Sequence, residues 1–191
     1  IQKRIFPEAI RLFNEALRIN SNHLNAKHNL AYALIETGKH EVAKKLLEEV
    51  LAANTNHLDA NYNLANIFKF YGESEKAEFY YKKAIKIKPD NPKAYNNLGN
   101  ILKDLGKFDE AIDSYKKAIN LQFNHANAYH NLGNTYKQLG YFEKAISHYK
   151  QSLKYQPFNL ETLSTLLELS KEVINQDLKN KIHKIIKEKN L

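Results

Sequence analysis

"PKAYNNLGNILKDLGKFDEAIDSYKKAINLQFN" spans residues 92–124, and from residue 126 the chain writes it again as "ANAYHNLGNTYKQLGYFEKAISHYKQSLKYQPFN". Gly38, Gly72, Gly106 and Gly140 share this spacing of thirty-four residues, as do Ala43, Ala77, Ala111 and Ala145, and Leu30, Leu64, Leu98 and Leu132. A fixed period of this length marks a chain built by copying one supersecondary unit. Four complete units follow, at 24–57, 58–91, 92–125 and 126–159, with a partial unit at 1–23 and a degenerate one at 160–191.

Within a unit the apolar residues recur at helical spacing. In the third, Tyr95, Leu98, Gly99 and Leu102 fall at i, i+3, i+4 and i+7, and beyond Gly106 a second stripe runs through Phe108, Ala111, Ile112, Tyr115 and Ala118. The spacing predicts helix, turn, helix. Small residues at Gly99 and Ala111 let the two axes approach closely, and Gly106 ends the first helix where a left-handed backbone costs glycine little. Pro92 suits the first position of a helix, where an N–H would lack a partner in any case. Pro89 and Pro157 close units.

The set Tyr95, Leu98, Gly99, Phe108, Ala111, Tyr115 and Ala118 resembles the tetratricopeptide repeat. The unit at 126–159 resembles it through Tyr129, Leu132, Gly133, Tyr136, Phe142, Ala145, Tyr149 and Pro157. The resemblance implies an all-α fold: an α-solenoid, a right-handed superhelix of stacked helix-turn-helix units, forming a single domain over 1–191. The departures are single sites, with Lys27 where an aromatic is usual, Val50 where alanine is usual, and Phe123 in place of a closing proline.

The two ends differ from the middle. Residues 6–21 read as a second helix without a first, with Phe6, Ala9, Ile10, Phe13, Ala16 and Leu17 in second-helix positions. Each repeat buries its apolar stripe only against neighbours, and the chain opens on Ile1 with no methionine anywhere. A fragment of a longer protein is therefore expected. Toward the other end, Leu160, Leu163, Leu166 and Leu167 keep the stripe of a first helix, but Ile174 stands where a turn glycine belongs. A last helix near 177–190, with Leu178, Ile182 and Ile185 on one side and Lys181, Lys184 and Lys187 on another, reads as a solvating cap.

Composition sets limits on function. No stretch approaches the roughly 18 apolar residues of a membrane span. Cysteine is absent, which excludes disulfides, thiol nucleophiles and thiolate metal sites. A cytoplasmic setting is expected. The net charge of +8 is nearly all lysine, arginine occurring only at Arg4, Arg11 and Arg18, so bidentate phosphate or base contacts are scarce and nucleic acid is not the expected partner. Lys82, Lys83, Lys86, Lys116, Lys117 and Lys150 fall on the outer faces of second helices, where solvation explains them and a weak preference for acidic partners is the alternative.

Asparagine recurs on a helical pattern that buries something else. Numbering each unit from its first residue, Asn29, Asn63, Asn97 and Asn131 hold the sixth place, and Asn66, Asn100 and Asn134 the ninth. At about 100° per residue, places four, seven, eight and eleven share one side of the first helix, and places two, six, nine and thirteen the other. The asparagines point away from their own unit's core and, in a solenoid, line its concave wall. Asparagine is a poor helix former, but its amide can pair with both the C=O and the N–H of an extended peptide. The competing reading is that the asparagines brace adjacent first helices, or reflect a biased genome.

The strings "NNLGN" and "HNLGN" resemble the tetratricopeptide arm of O-linked N-acetylglucosamine transferase, whose concave asparagines hold peptide backbones. That resemblance covers the repeat arm alone. A different subclass grips chaperone tails with a carboxylate clamp, which needs a basic residue at the fifth place; His28, Tyr62, Asn96 and His130 stand there instead, and this binding is disfavoured. Tyr62 and His130, on the groove's flank, and Phe70, at the thirteenth place, are candidate groove contacts. Tyr95, Tyr115, Tyr129 and Tyr149 are expected to pack in the core.

No catalytic residues, cofactor or metal site can be assigned. His23, His57 and His125 lie at multiples of thirty-four residues, in equivalent turns, and read as solvated turn residues rather than ligands. The expected function is a protein-protein interaction scaffold that binds an extended peptide segment of a partner. The alternative is the substrate-recruiting arm of a larger enzyme, a sulfotransferase or an O-linked glycosyltransferase, whose catalytic domain lies elsewhere. Either unfinished end also offers a surface for end-to-end stacking on another copy.

Overall fold

The computed structural model describes residues 2–173, with side chains from Phe6 onward. Ile174 and the helix expected at 177–190 lie outside the described residues. By contact the chain divides into two compact units, Ile1–Lys107 and Phe108–Leu191. The division falls just after Gly106, inside the third repeat.

The first unit contains α1 (Gln2–Ile19), α2 (Leu24–Glu36), α3 (His40–Ala53), α4 (Leu58–Phe70), α5 (Ser74–Ile87) and α6 (Pro92–Asp104). Each helix packs on the next, and α2 also reaches α4, so the first helices of successive repeats meet. First helices start at a side-chain cap. His23 Nδ1, His57 Nδ1 and Asn91 Oδ1 each accept the N–H of the residue three further on, Ala26, Ala60 and Ala94, at 3.2 Å, which satisfies one donor that the first turn leaves open. The histidines expected to be plain turn residues are therefore N-caps. The turn glycines take the left-handed backbone that the spacing implies, with φ of 74° at Gly72 and 73° at Gly106.

α1 begins four residues earlier than the apolar pattern suggested and keeps Pro7 inside it, since proline has a helical φ and costs one backbone bond at that point. The core of this unit is made by Leu30, Ala31 and Leu34 against Ala43, Leu47 and Val50, and by Leu64, Ala65 and Phe68 against Ala77, Tyr81 and Ala84, all buried. Lys27, the departure from the aromatic pattern, places its ammonium on the Glu49 carboxylate at 2.5 Å and so ties α2 to α3 by charge. Glu78 on α5 accepts from Lys82 at 2.6 Å and from Lys107 at 2.8 Å, joining the second repeat to the turn of the third.

The second unit contains α7 (Phe108–Leu121), α8 (Ala126–Gln138) and α9 (Phe142–Tyr155), followed by a helical stretch, α10, over 160–173. α8 packs on α7 and on α9. At Gly133 a Cβ atom would stand 2.7 Å from the Tyr149 ring, so glycine is what lets α8 and α9 approach over that tyrosine. Tyr115 and Tyr149 are fully buried, while Tyr95 and Tyr129 are only half-buried; Tyr129 stacks on Tyr155 and His148.

α10 does not bury the leucine stripe that its sequence suggested. Leu160, Leu163 and Leu167 are 78, 40 and 59% exposed, whereas Thr162 and Leu169 are buried. Thr162 and Leu169 hold the third and tenth places, equivalent to the buried pairs Ala26 and Ala33, Ala60 and Ile67, and Ala128 and Thr135. The covered side of α10 is thus the one turned to the preceding repeat, where Thr162 meets His130.

Candidate functional site

The first helices expose the centre of the face opposite their core. In the first unit, Asn25, Asp59 and Lys93 at the second place and Glu36, Phe70 and Asp104 at the thirteenth are exposed. The candidate asparagines flank this strip. Asn29 is exposed, while Asn63, Asn66, Asn97 and Asn100 are half-buried, because side chains of neighbouring helices rise beside them.

The ninth-place asparagine meets its own repeat. The buried Tyr81 hydroxyl donates to Asn66 Oδ1 at 2.5 Å, which gives a partner to a hydroxyl that would be costly to leave unpaired in the core. Burial drives the Tyr81 phenol well above its ordinary range, so the group stays a neutral donor. The sixth-place asparagine meets the preceding repeat. Asn97 Nδ2 donates to the Tyr62 hydroxyl at 3.0 Å and reaches Asn66 Oδ1 at 3.5 Å, and burial also raises the Tyr62 phenol.

One repeat earlier the same link is made with an imidazole. His28 Nδ1 lies 3.2 Å from Asn29 Oδ1, which can only accept, so Nδ1 carries the proton. His28 Nε2 is then an acceptor, and Asn63 Nδ2 donates to it at 3.2 Å. Burial, and after it the neighbouring His57, push the His28 pKa down, in agreement with a neutral ring.

The second unit holds Asn131 and Asn134, both half-buried, beside the exposed Asn127 and Gln138. Asn134 Oδ1 accepts from the Tyr149 hydroxyl at 2.7 Å, which turns its Nδ2 toward His130 Nε2 at 2.9 Å. On the other side of the ring His130 Nδ1 lies 2.7 Å from Thr162 Oγ1, and Glu161 approaches Nε2 at 3.3 Å. Burial and the Glu161 charge push the Tyr149 phenol up to about 12.

The three candidate groove contacts have separate surroundings. Tyr62 is half-buried, with its ring edge-on to Tyr81 at 5.8 Å. Phe70 is 66% exposed but rests on the His40 imidazole, ring centroids 4.3 Å apart, at the start of α3. His130 is buried within the network just described. Two open cavities of the first unit lie elsewhere: one of about 470 Å³ beside Lys83 and Lys86, and one of about 500 Å³ between α3 and α5 over Phe68. No candidate residue lines either. Among the described residues no helix is long and apolar enough to cross a membrane, and no group of acidic and histidine side chains is arranged to hold a metal ion.

The sequence missed the partners of the asparagines, yet a signal for one of them was present. Asn66, Asn100 and Asn134 occur in the repeats that carry Tyr81, Tyr115 and Tyr149, while the first repeat, with Leu47 at that position, has Tyr32 at its ninth place.

Tetratricopeptide repeat models match residues 5–62, 58–91, 80–113 and 126–159, and a TPR repeat model matches 99–140. Comparison with curated protein sequences gives no match. Among solved structures, a crystal structure of MamA is 24% identical over 82% of this chain and 91% of its own, with a TM-score of 0.76. MamA of Desulfovibrio magneticus RS-1 is 19% identical over 83% of this chain and 90% of its own, also at 0.76. YrrB, described as a TPR protein with an unusual peptide-binding site, is 22% identical over 86% and 84%, at 0.75. At these identities the structures establish a shared fold of stacked helical hairpins. With family models spanning residues 5–159, the chain belongs to the tetratricopeptide repeat family.

Proposed function

We propose that this chain is a protein-interaction scaffold that binds an extended peptide segment of a partner along the asparagine face of its first helices. The contacts are made by Asn29, Asn63, Asn66, Asn97 and Asn100 in the first unit and by Asn131 and Asn134 in the second. The observation that supports the reading is that, within each unit taken by itself, these amides recur beside exposed second- and thirteenth-place side chains, although asparagine is a poor helix former. An amide recognises the peptide unit without reading side chains, which suits a groove for a flexible segment. YrrB, similar in fold, is described as having a peptide-binding site, and that supports the same use here.

The test is binding of a peptide enriched from a random display library on the immobilised chain, compared between the parent and the Asn63→Ala and Asn97→Ala variants. Affinity should fall in both variants by more than their altered melting can account for. Lower stability with unchanged affinity would assign these asparagines to bracing between repeats alone.

A further inference from the structure

Inside the first unit the hydrogen bonds hold Asn63 and Asn97 by the amide nitrogen only, whereas Asn29 is held by its oxygen, which faces His28 Nδ1. Asn63 donates through Nδ2 to His28 Nε2, and Asn97 through Nδ2 to the Tyr62 hydroxyl. The direction is fixed in each case by the partner. His28 must accept at Nε2 because its Nδ1 proton points to Asn29 Oδ1, and Asn97 Nδ2 also faces Asn66 Oδ1, an oxygen that can only accept. Neither Asn63 Oδ1 nor Asn97 Oδ1 takes a bond from a described residue, and neither is among the buried unpartnered atoms.

The ninth place is wired the other way. Asn66 spends its oxygen on the Tyr81 hydroxyl, and its amide is also a hydrogen-bond partner of Tyr62. A freely rotating amide could turn either end to a ligand, but one held by a bond on one side presents the other.

From this we infer that two sixth-place asparagines of the first unit, Asn63 and Asn97, act on a bound peptide as acceptors, with Asn63 Oδ1 and Asn97 Oδ1 each taking a backbone N–H of the ligand. The inference rests on the binding face proposed above and specifies its chemistry. The ligand is read by its N–H groups at this row, so an extended segment with proline at those positions, which lacks the N–H, is excluded. A peptide with free N–H groups at the spacing of the two asparagines is accepted whatever its side chains.

The experiment uses the library-enriched peptide and the full chain. Each backbone amide of the peptide is replaced in turn by an ester, which removes the N–H, and affinity is measured by fluorescence anisotropy. At two positions, and not throughout, the ester should weaken binding about tenfold, the effect of one lost hydrogen bond of ordinary strength. Asn97→Asp keeps an acceptor, and the Tyr62 hydroxyl can turn its own proton to it, so this variant should bind within about threefold of the parent, whereas Asn97→Ala loses about tenfold. Recovery of a peptide that is indifferent to every ester, or that loses as much with Asn97→Asp as with Asn97→Ala, overturns the acceptor assignment while leaving the binding face intact. Failure to enrich any peptide overturns the binding face itself, and the acceptor assignment with it.

Discussion

The Asn97 side-chain amide lies 3.0 Å from the Tyr62 hydroxyl, so that the third repeat is hydrogen-bonded to the second through side chains alone. Tyr62→Phe removes the acceptor and changes little else, because the ring keeps its place against Tyr81. The variant should lose about 0.5–1.5 kcal/mol, the ordinary net worth of one such bond. Urea unfolding followed by circular dichroism measures it; a midpoint equal to that of the parent would show that the bond contributes nothing.

Two glycines are needed for different reasons, and substitution separates them. At Gly72 a Cβ would meet nothing within 4 Å, but φ is 74°. Gly72→Ala should cost about 1 kcal/mol through the backbone alone, and Gly72→Asn less, because asparagine tolerates that region. At Gly133 the obstacle is the Tyr149 ring, 2.7 Å from an added Cβ. Overpacking there should cost about 1–3 kcal/mol, and asparagine in place of alanine should make matters worse. Thermal melts of the four variants give the two opposite orders.

His28 in the first unit and His148 in the second have pKa values driven below the ordinary 6.5. Burial and His57 act on His28, and burial and Lys116 on His148. In the window below 6.5 the unfolded chain binds more protons at these sites than the folded chain, so stability is fully present above 6.5 and is lost as the pH falls toward the folded values. Urea midpoints should therefore be lower at pH 5 than at pH 7.5. His148→Phe preserves the stack on Tyr136, whose centroid is 5.4 Å away at 8°, and should flatten the part of the slope that belongs to the second unit. An unchanged slope would place the pH dependence elsewhere.

Glu78 joins two repeats. Burial raises its pKa, but the bonds from Lys107 and Lys82 outweigh it and hold the carboxyl below its usual range. Stability from this site is present above the unfolded carboxylate pKa and is lost as the pH falls through the folded one. Glu78→Gln should cost about 1 kcal/mol at pH 7, with the gap from the parent narrowing in 1 M sodium chloride, since about half of each lysine side chain is in solvent. Equal stability at low salt would reduce the pair to a surface contact.

The helix starts and turns were legible in the sequence because each is punctuated. Helix starts at Leu24, Leu58, Pro92 and Ala126 coincide with the first place of each copied unit, and the turn glycines mark the first-helix ends. Side-chain bonds were less legible. Periodicity tells which way Asn97 points but not that Tyr62, thirty-five residues earlier, stands beside it, because that depends on how one repeat is stepped from the next. The capping histidines were hidden by residue type. His23, His57 and His125 do the work that Asn91 and Asn159 do in the other repeats, and a search for preferred caps passes over imidazole. The leucine stripe of 160–173 misled because its pattern describes which side a repeat's own second helix covers, whereas Thr162 and Leu169 are covered by the repeat before.

Asn66 and Tyr81 lie within one copied unit, as do Asn134 and Tyr149, so any duplication of a repeat carries both halves of the pair. The bond from Asn97 to Tyr62 is divided between two copies, and duplication gives a new repeat only one of its halves. The fifth place, which must suit whichever unit arrives next to it, is spelled His28, Tyr62, Asn96 and His130, while the sixth is asparagine in all four. A pair inside a unit therefore travels with any copy of that unit, whereas a pair across a junction depends on which two units come to lie side by side.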